Sequence, residues 1–484
     1  MDLLVSNFLA EEITSVNFWD SKIWLVICQF GIIFVTILLA NILRRKIKFI
    51  KRSLLPTSVI AGTIIFIVKF IPVANKYIEQ VFMEGVTYHF LALGFIALGL
   101  KTAVKAKQPK DGVILNTGLF TVSTYLIQAI LGILLTLGLM YTICKGLFHS
   151  AGLLLPMGFG QGTGQALNIG GIFESNGFVG GKAFGLGVAA IGFFVACIVG
   201  VIYLNVLRKK GLLKVQEERK EQANSLNSDI YAPDEAPLTD SVDKLTIQLG
   251  LVFLVYILTF GFIFGLSKAS EQLGNFGVNT IKPLLWGFNF LFGSLFALLV
   301  KKVITVLRNR KIMKYNYVNN YMMNRLSGLF FDVMVVAGIA AINWSSLEGL
   351  LIPLLIICLL GGAVTFLYCR YVSKKLYQGY EHEMFFAMFG MLTGTASTGM
   401  ILLREIDPNY ETPAADNLVL QQVPATVFGA PILLVMSFAA QGLTQTLITL
   451  GIATGLFLIY NLIMFRKFIF KKKSKDSNEE EVSH

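Results

Sequence analysis

Two short stretches combine glycine with uncharged hydroxyl and amide side chains inside an otherwise apolar chain. The first, Leu153 to Asn168, reads LLLPMGFGQGTGQALN, and the second, Phe389 to Met400, reads FGMLTGTASTGM. Both contain G-x-x-x-G-T, and the second copy follows the first by 232 residues. At membrane depth, non-helical backbone is tolerated only where it is buried in protein or lines a water-filled cavity. The two stretches are therefore predicted to form re-entrant hairpins whose tips lie in a functional site.

The predicted tips offer ligands for a cation and for an anion. Carbonyl and hydroxyl oxygens can replace the water shell of a hard cation such as Na⁺, and the N–H groups at the start of a half-helix favour a carboxylate. The residues predicted to bind an anionic substrate are Gly160, Gln161, Gly162, Thr163, Gly164, Gln165, Thr395, Ser397, Thr398 and Arg404. The residues predicted to bind sodium are Asp332, Thr393, Gly394 and Asn168. The alternative explanation is that G-x-x-x-G merely lets helices pack closely.

Two charged residues near these stretches have open interpretations. Asp332 lies within the apolar run LFFDVMVV, where a carboxylate costs about 2.5–3.5 kcal/mol on insertion scales. This cost indicates an ion ligand or a proton site, and a structural pair is the alternative. Arg404 follows the second hairpin, and its guanidinium fork fits a carboxylate. It can equally pair with Glu405 or Asp407 at the membrane interface.

The composition indicates a membrane protein. The 484 residues are 55% hydrophobic and 14% charged, with a mean hydropathy of +0.68, whereas soluble domains carry roughly a quarter charged residues. Many apolar runs reach about 20 residues, the length of helix that spans a bilayer. The net charge of +12 does not predict a nucleic-acid partner, because the positive residues lie at the ends of the apolar runs. The chain is predicted to be an all-α polytopic membrane protein.

Enzyme signatures are missing from the sequence. His382-Glu383 lacks the second histidine of a zinc protease motif, and GFGQGTG lacks the lysine of a P-loop. No ATPase domain is present, so uphill transport must draw on an ion gradient. The chain is predicted not to be an enzyme, and no cofactor is expected beyond sodium as the coupling ion.

The apolar runs divide the chain into two halves and a tail. The predicted spans are about 23–43, 54–73, 89–100, 112–141, 180–207, 245–266, 281–300, 326–344, 350–372, 417–441 and 443–465. Residues 1–207 form the first half with a hairpin at about 147–174, and 244–441 form the second half with a hairpin at about 383–406. A charged cytoplasmic linker, 208–243, joins them, and 442–484 add one further span and a basic tail.

The charge distribution orients these spans. Six Lys and Arg residues follow the first span within ten positions, so the N-terminus is predicted outside and the C-terminus in the cytoplasm. Most of the 41 Lys and Arg residues then lie on cytoplasmic segments. The two five-span halves have opposite orientations, each with a re-entrant hairpin, which is an inverted-repeat architecture typical of secondary transporters.

The first hairpin, MGFGQGTGQA, resembles that of the sodium/glutamate symporter family of bacterial inner membranes. The resemblance rests on Gly160, Gly162, Thr163 and Gly164, on Gly394, Thr395 and Thr398, and on PTSVIAG at 56–62 and IALGLKT at 96–102. Gln161 stands where the best-known members have histidine. The resemblance implies an inner-membrane homodimer that takes up glutamate with sodium by an elevator-like movement of the hairpin domain.

The leading hypothesis is a secondary transporter that couples sodium influx to uptake of an acidic amino acid, glutamate. The alternative is a symporter, driven by Na⁺ or H⁺, for another organic anion such as a di- or hydroxycarboxylate. An intramembrane enzyme and a passive channel rank below both. The expected partners are the anionic substrate, sodium, membrane lipid and a second copy of the chain.

Overall fold

The computed structural model describes residues 21–101, 112–212, 243–274, 277–313, 315, 317–407 and 411–480. The described residues form helices and turns and contain no strand, so the predicted all-α class is confirmed. Residues 1–20 and most of the predicted linker, 213–242, lie outside the described part of the chain. The same holds for the side chains of the predicted basic tail from residue 467 onward.

Before the linker, the described residues form eight helices. They are α1 Ser21–Lys46, α2 Lys48–Ser53, α3 Thr57–Val68, α4 Pro72–Asn75, α5 Gln80–Leu100, α6 Val113–Tyr141, α7 Leu154–Ser175 and α8 Gly181–Lys209. A 3₁₀ turn, Ala151–Leu153, leads into α7.

After the linker, the residues that the structure describes form ten helices. They are α9 Lys244–Glu271, α10 Lys282–Gly287, α11 Asn289–Asn309, α12 Asn320–Ala340, α13 Leu351–Leu376, α14 Glu381–Thr393, α15 Ala396–Arg404, α16 Ala414–Leu420, α17 Gln422–Ala439 and α18 Leu443–Glu480. A π-helical turn, Gly277–Ile281, precedes α10, and a 3₁₀ turn, Ser345–Leu347, precedes α13.

Within the described residues, nine helices are long and apolar enough to cross a membrane. The count rises to ten if the stretches Ala414–Gly429 and Pro431–Ala439, which are bent by 49° at their junction within α17, form one span. The protein is therefore a multi-pass membrane protein, as its composition predicts.

The second predicted span, 54–73, differs from the structure, which forms only the 12-residue helix α3 there. At about 1.5 Å per residue this helix covers about 18 Å, too short for a hydrocarbon core of about 30 Å. Two prolines bound it, because Pro56 precedes its first turn and Pro72 forces Ile71 into an extended conformation.

Two other predicted boundaries shift. The short third span extends back to Gln80, which gives α5 the length of a full crossing. The seventh span begins only at Asn289, because residues 277–287 form separate short turns, and it continues past Lys301 and Lys302 to Asn309.

Burial separates central from peripheral helices. After its charged first turn, helix α14 is apolar, and its residues from Met384 to Phe389 have no exposed surface, while α7 is buried along most of its length. Helices α1, α9, α11 and α18 have few buried positions, as expected for helices that face lipid. The glycine-rich stretches thus occupy the centre of the molecule.

Lys69, which follows α3, caps another helix. Its ammonium donates to the carbonyl oxygens of Ala340 and Ile342 at 2.9 and 3.1 Å, where α12 ends. A cation at a helix C-terminus meets the partial negative charge of the last carbonyls. This contact fixes α3 against the C-terminal end of α12, which in turn contacts α7.

Candidate functional site

Helix α7 is broken at Gly162. This residue has φ 79° and ψ −169°, a conformation that side chains rarely adopt, so glycine is required here. The 3₁₀ turn that leads into α7 packs against α6, where the backbones of Gly152 and Gly132 are so close that a Cβ atom on either would overlap the other. After the break it packs against α5 and α12, where a Cβ on Gly164 would lie 2.7 Å from Leu91 and 2.9 Å from the sulfur of Met334.

The second break separates α14 from α15 at Gly394 and Thr395. Thr395 is extended, with φ −142° and ψ 168°, and its hydroxyl accepts from the backbone N–H of Thr398 at 3.4 Å. The two helices fold back against each other, because a Cβ on Gly390 would lie 2.7 Å from the Cα of Gly399. Glycines at this crossing allow the two short helices to touch along their backbones.

The two breaks meet in the structure. A Cβ placed on Gly162 would lie 3.5 Å from Cγ2 of Thr395 and 4.0 Å from the carbonyl oxygen of Gly394. Helix α8 contacts both breaks, because Gly185 lies against the backbone of Ala166 and Gly192 against the carbonyl of Thr393. Gly160, Gly162, Thr163, Gly164, Thr393, Gly394 and Thr395 are thus brought together from sequence positions more than 200 apart.

Helix ends give this meeting point its chemistry. The last carbonyls before a break and the first N–H groups after it have no partner within their own helix. Carbonyl ends of two half-helices can bind a cation, and N–H ends can bind a carboxylate. Charged side chains are not needed for either role.

Gln165 lies three residues beyond the first break and has an unsatisfied amide. Its side chain is 1% exposed, and neither its nitrogen nor its oxygen has a hydrogen-bond partner among the described residues. Buried polar groups are nearly always paired, so an unpaired amide at this place indicates a group that a ligand would satisfy.

The hydroxyl groups near the breaks differ in their accessibility. Thr163 donates to the carbonyl oxygen of Met334 at 3.4 Å, and Thr393 donates to that of Phe389 at 2.7 Å. Thr398 is buried beside Thr395, with 3.3 Å between their hydroxyl oxygens. The remaining two predicted ligands are more open, because Gln161 is half-buried and Ser397 is exposed.

Three predicted site residues lie away from the meeting point. Arg404 is exposed at the far end of α15. Asn168 donates to the carbonyl oxygen of Gly287 at 2.9 Å. Asp332 interacts with Ser58 of α3, and it points away from the Thr163 contact because it precedes Met334 by two residues, about 200° around a helix. The structure does not bring these three side chains together with the two breaks.

A cavity of about 880 Å³ lies beside the second part of α7, between α5, α9 and the α10 region. Its polar lining includes Tyr88, His89, Asn168, Tyr256 and Asn289, and its rim carries the ion pair between Lys182 and Glu84 at 2.8 Å. Apart from Asn168, none of these was singled out from the sequence, because single polar residues scattered over several apolar helices form no motif.

Metal-binding clusters built from His, Cys, Asp and Glu do not occur among the described residues. A site for an ion at the breaks would therefore use backbone and hydroxyl oxygens, which suit Na⁺.

A family model described as sodium/glutamate symporter matches residues 25–410, a range that includes both helix breaks and ends before α16. Neither a curated protein nor a solved structure gives a significant match. The match supports a sodium-coupled transporter, and the matched family is one of transporters. The chain belongs to the sodium/glutamate symporter family.

Proposed function

We propose that the protein couples sodium influx to the uptake of an acidic amino acid, glutamate. The observation that carries this proposal is the contact between the break at Gly162 and the break at Gly394–Thr395 in the buried centre of the molecule. Paired helix breaks at corresponding positions of two halves are where secondary transporters bind solute and ion. The family match supplies the choice of sodium and glutamate.

The substrate carboxylates would bind the N–H groups that begin the second part of α7 and helix α15. These helices start at Thr163 and Ala396, and Gln165 and Thr398 add side-chain donors nearby. Sodium would bind the carbonyl ends opposite, with the hydroxyl of Thr393. In this proposal Asp332 and Arg404 affect the site electrostatically from a distance, because neither side chain contacts the breaks in this conformation.

The architecture completes the proposal. The two broken segments are re-entrant hairpins of opposite orientation, one in each half of an inverted repeat. The N-terminus lies outside and the C-terminus in the cytoplasm of a cell that carries the protein in its inner or plasma membrane. The functional unit is a homodimer.

Uptake into proteoliposomes tests the proposal. Labelled glutamate should accumulate above its external concentration only when sodium is imposed as an inward gradient. A potassium gradient of equal size controls for osmotic and electrical effects. If glutamate is not taken up, or if uptake is equal with and without the sodium gradient, the proposed function is wrong.

The uncharged surface of the meeting point favours one further candidate substrate class. The side chains that hydrogen-bond at the two breaks within the described residues, Tyr125, Gln128, Thr395 and Thr398, are neutral, so recognition rests on N–H and hydroxyl groups that suit any small carboxylate. A dicarboxylate or hydroxycarboxylate is therefore the second candidate, coupled to Na⁺ or H⁺. Competition of unlabelled carboxylates against glutamate, repeated with a proton gradient in place of sodium, separates the two.

A further inference from the structure

Helix α6 carries two polar side chains that reach both helix breaks. The hydroxyl of Tyr125 donates to the carbonyl oxygen of Gly160 at 3.1 Å. The amide nitrogen of Gln128 donates to the carbonyl oxygen of Leu392 at 3.0 Å. Positions 125 and 128 are one turn apart, so both side chains leave the same face of α6.

The two accepting carbonyls are equivalent in the sequence. Gly160 precedes the breaking Gly162 by two residues, and Leu392 precedes Gly394 by two residues. They are separated by the same 232 residues as the two G-x-x-x-G-T motifs. Each belongs to the last turn before a break, where a carbonyl has lost the N–H that a continuous helix would supply.

The surroundings fix both donors. A Cβ on Gly160 would overlap the ring of Tyr125, so the lack of a side chain at Gly160 leaves room for the tyrosine to reach this carbonyl. The second hydrogen of the Gln128 amide goes to the hydroxyl of Thr365 at 2.9 Å, and that hydroxyl donates to the carbonyl of Gly361 at 2.7 Å. Gln128 is fully buried, and both of its N–H groups are used.

The second half of the chain has no matching donors. The residues 232 positions after Tyr125 and Gln128 are Ile357 and Leu360 of α13, which are apolar. The hydrogen bonds from Tyr125 and Gln128 to the two equivalent carbonyls thus both come from the first half of the chain.

We propose that Tyr125 and Gln128 are positioning residues, which hold the two broken ends in register so that the neighbouring carbonyls can bind the coupling ion. The expected effect on sodium dependence rests on the proposed function. The ordering of the two breaks by these hydrogen bonds does not depend on any substrate. Neither side chain contacts the ion or the solute itself.

The test uses the full-length protein in lipid nanodiscs and proteoliposomes. Tyr125→Phe keeps the ring and removes the hydroxyl, and Gln128→Met keeps the length and removes the amide. Thr124→Val is the matched control, because Thr124 is fully buried on the same helix and its hydroxyl bonds only to the carbonyl of Phe120.

Hydrogen exchange measured by mass spectrometry reports how well ordered the backbone is at each break, and the measurement needs no substrate. Tyr125→Phe should speed exchange at residues 161–164 and Gln128→Met at residues 393–398, while Thr124→Val changes neither. In uptake assays the sodium concentration for half-maximal rate should rise by roughly two- to tenfold in the first two variants, the effect of one lost hydrogen bond.

Two results would overturn the proposal. Unchanged exchange at both breaks would show that the hydrogen bonds do not order them. Faster exchange throughout the chain, with a lower maximal rate and an unchanged half-saturating sodium concentration, would show a general role in packing. A wild-type protein that fails to transport glutamate would count against the proposed function alone, because the exchange measurement still decides the positioning role.

Discussion

Replacing Gln165 by methionine separates a ligand-binding role from a structural role, because the two roles predict opposite changes in stability. The amide is 1% exposed and both of its polar atoms lack a partner. A buried polar group without a hydrogen bond costs about 1–3 kcal/mol. Methionine has a similar length and no such groups, so Gln165→Met should stabilise the ligand-free protein by roughly 1–3 kcal/mol.

The same substitution should weaken ligand binding. A hydrogen bond to a charged carboxylate contributes about 1.5–3 kcal/mol, so losing it lowers affinity by roughly ten- to a hundredfold. Thermal unfolding in detergent measures both effects in one experiment. Without ligand, the melting midpoint of Gln165→Met should be higher than that of the wild type. The further rise in midpoint on adding glutamate with sodium should be smaller than in the wild type or absent.

Gln248 provides the matched control. It is also 1% exposed, but its amide nitrogen donates to the carbonyl of Tyr317 at 2.7 Å and its oxygen accepts from the N–H of Asn319 at 3.0 Å. Its amide nitrogen also donates to the carbonyl of Lys244 at 3.3 Å, so Gln248→Met should lower the midpoint because it removes three hydrogen bonds. If Gln165→Met also lowered the midpoint and left the glutamate response intact, Gln165 would be a packing residue and the reasoning from its unpaired amide would be wrong.

Three further predictions concern other parts of the protein. Gly160→Ala should abolish uptake, because its Cβ would overlap the ring of Tyr125, whereas Gly138→Ala, with open space around its Cβ, should leave uptake near wild type. Asp332→Asn should raise the half-saturating sodium concentration without preventing membrane insertion; a sodium titration that matches wild type would remove this charge from the mechanism. Burial lowers the pKa of His149, so protonation favours the unfolded protein and stability should fall as the pH drops below about 6.5. His149→Gln should reduce that fall, measured as the melting midpoint between pH 8 and pH 5.

The helix breaks could be predicted from the sequence because their chemistry is local. Gly162 needs a positive φ, and Gly394 and Thr395 interrupt an apolar run with groups that hydrocarbon does not satisfy. The constant spacing of the two motifs led to the expectation that the tips share one site, and the contact between Gly162 and Thr395 agrees with it. The role of these residues in binding stays a prediction.

The supports of the breaks could not be predicted in the same way. Tyr125 and Gln128 are single polar residues in an apolar helix, and nothing in their own sequence neighbourhood marks the carbonyl that each one meets. Their role depends on how α6 crosses two segments that are far away in the chain. Asp332 is the opposite case. Its charge stands out in the sequence, but the direction in which its side chain points depends on which helix packs against each face of α12.

The packing of α8 limits how the two breaks can move. Gly185 and Gly192 place the α8 backbone directly against Ala166 and Thr393, so neither broken segment can slide along α8 without a backbone collision. Tyr125 and Gln128 tie the same two segments to α6. Both breaks therefore belong to one packed body with α6 and α8.

The other side of α7 is held more loosely. There Asn168 of α7 donates to the carbonyl of Gly287 at 2.9 Å, and Tyr88 of the neighbouring α5 donates to the carbonyl of Trp286 at 2.7 Å, beside the cavity of about 880 Å³. Open volume allows displacement, whereas a close-packed glycine contact does not. The side of the two breaks that faces α10 therefore has room for displacement that the sides packed against α6 and α8 lack.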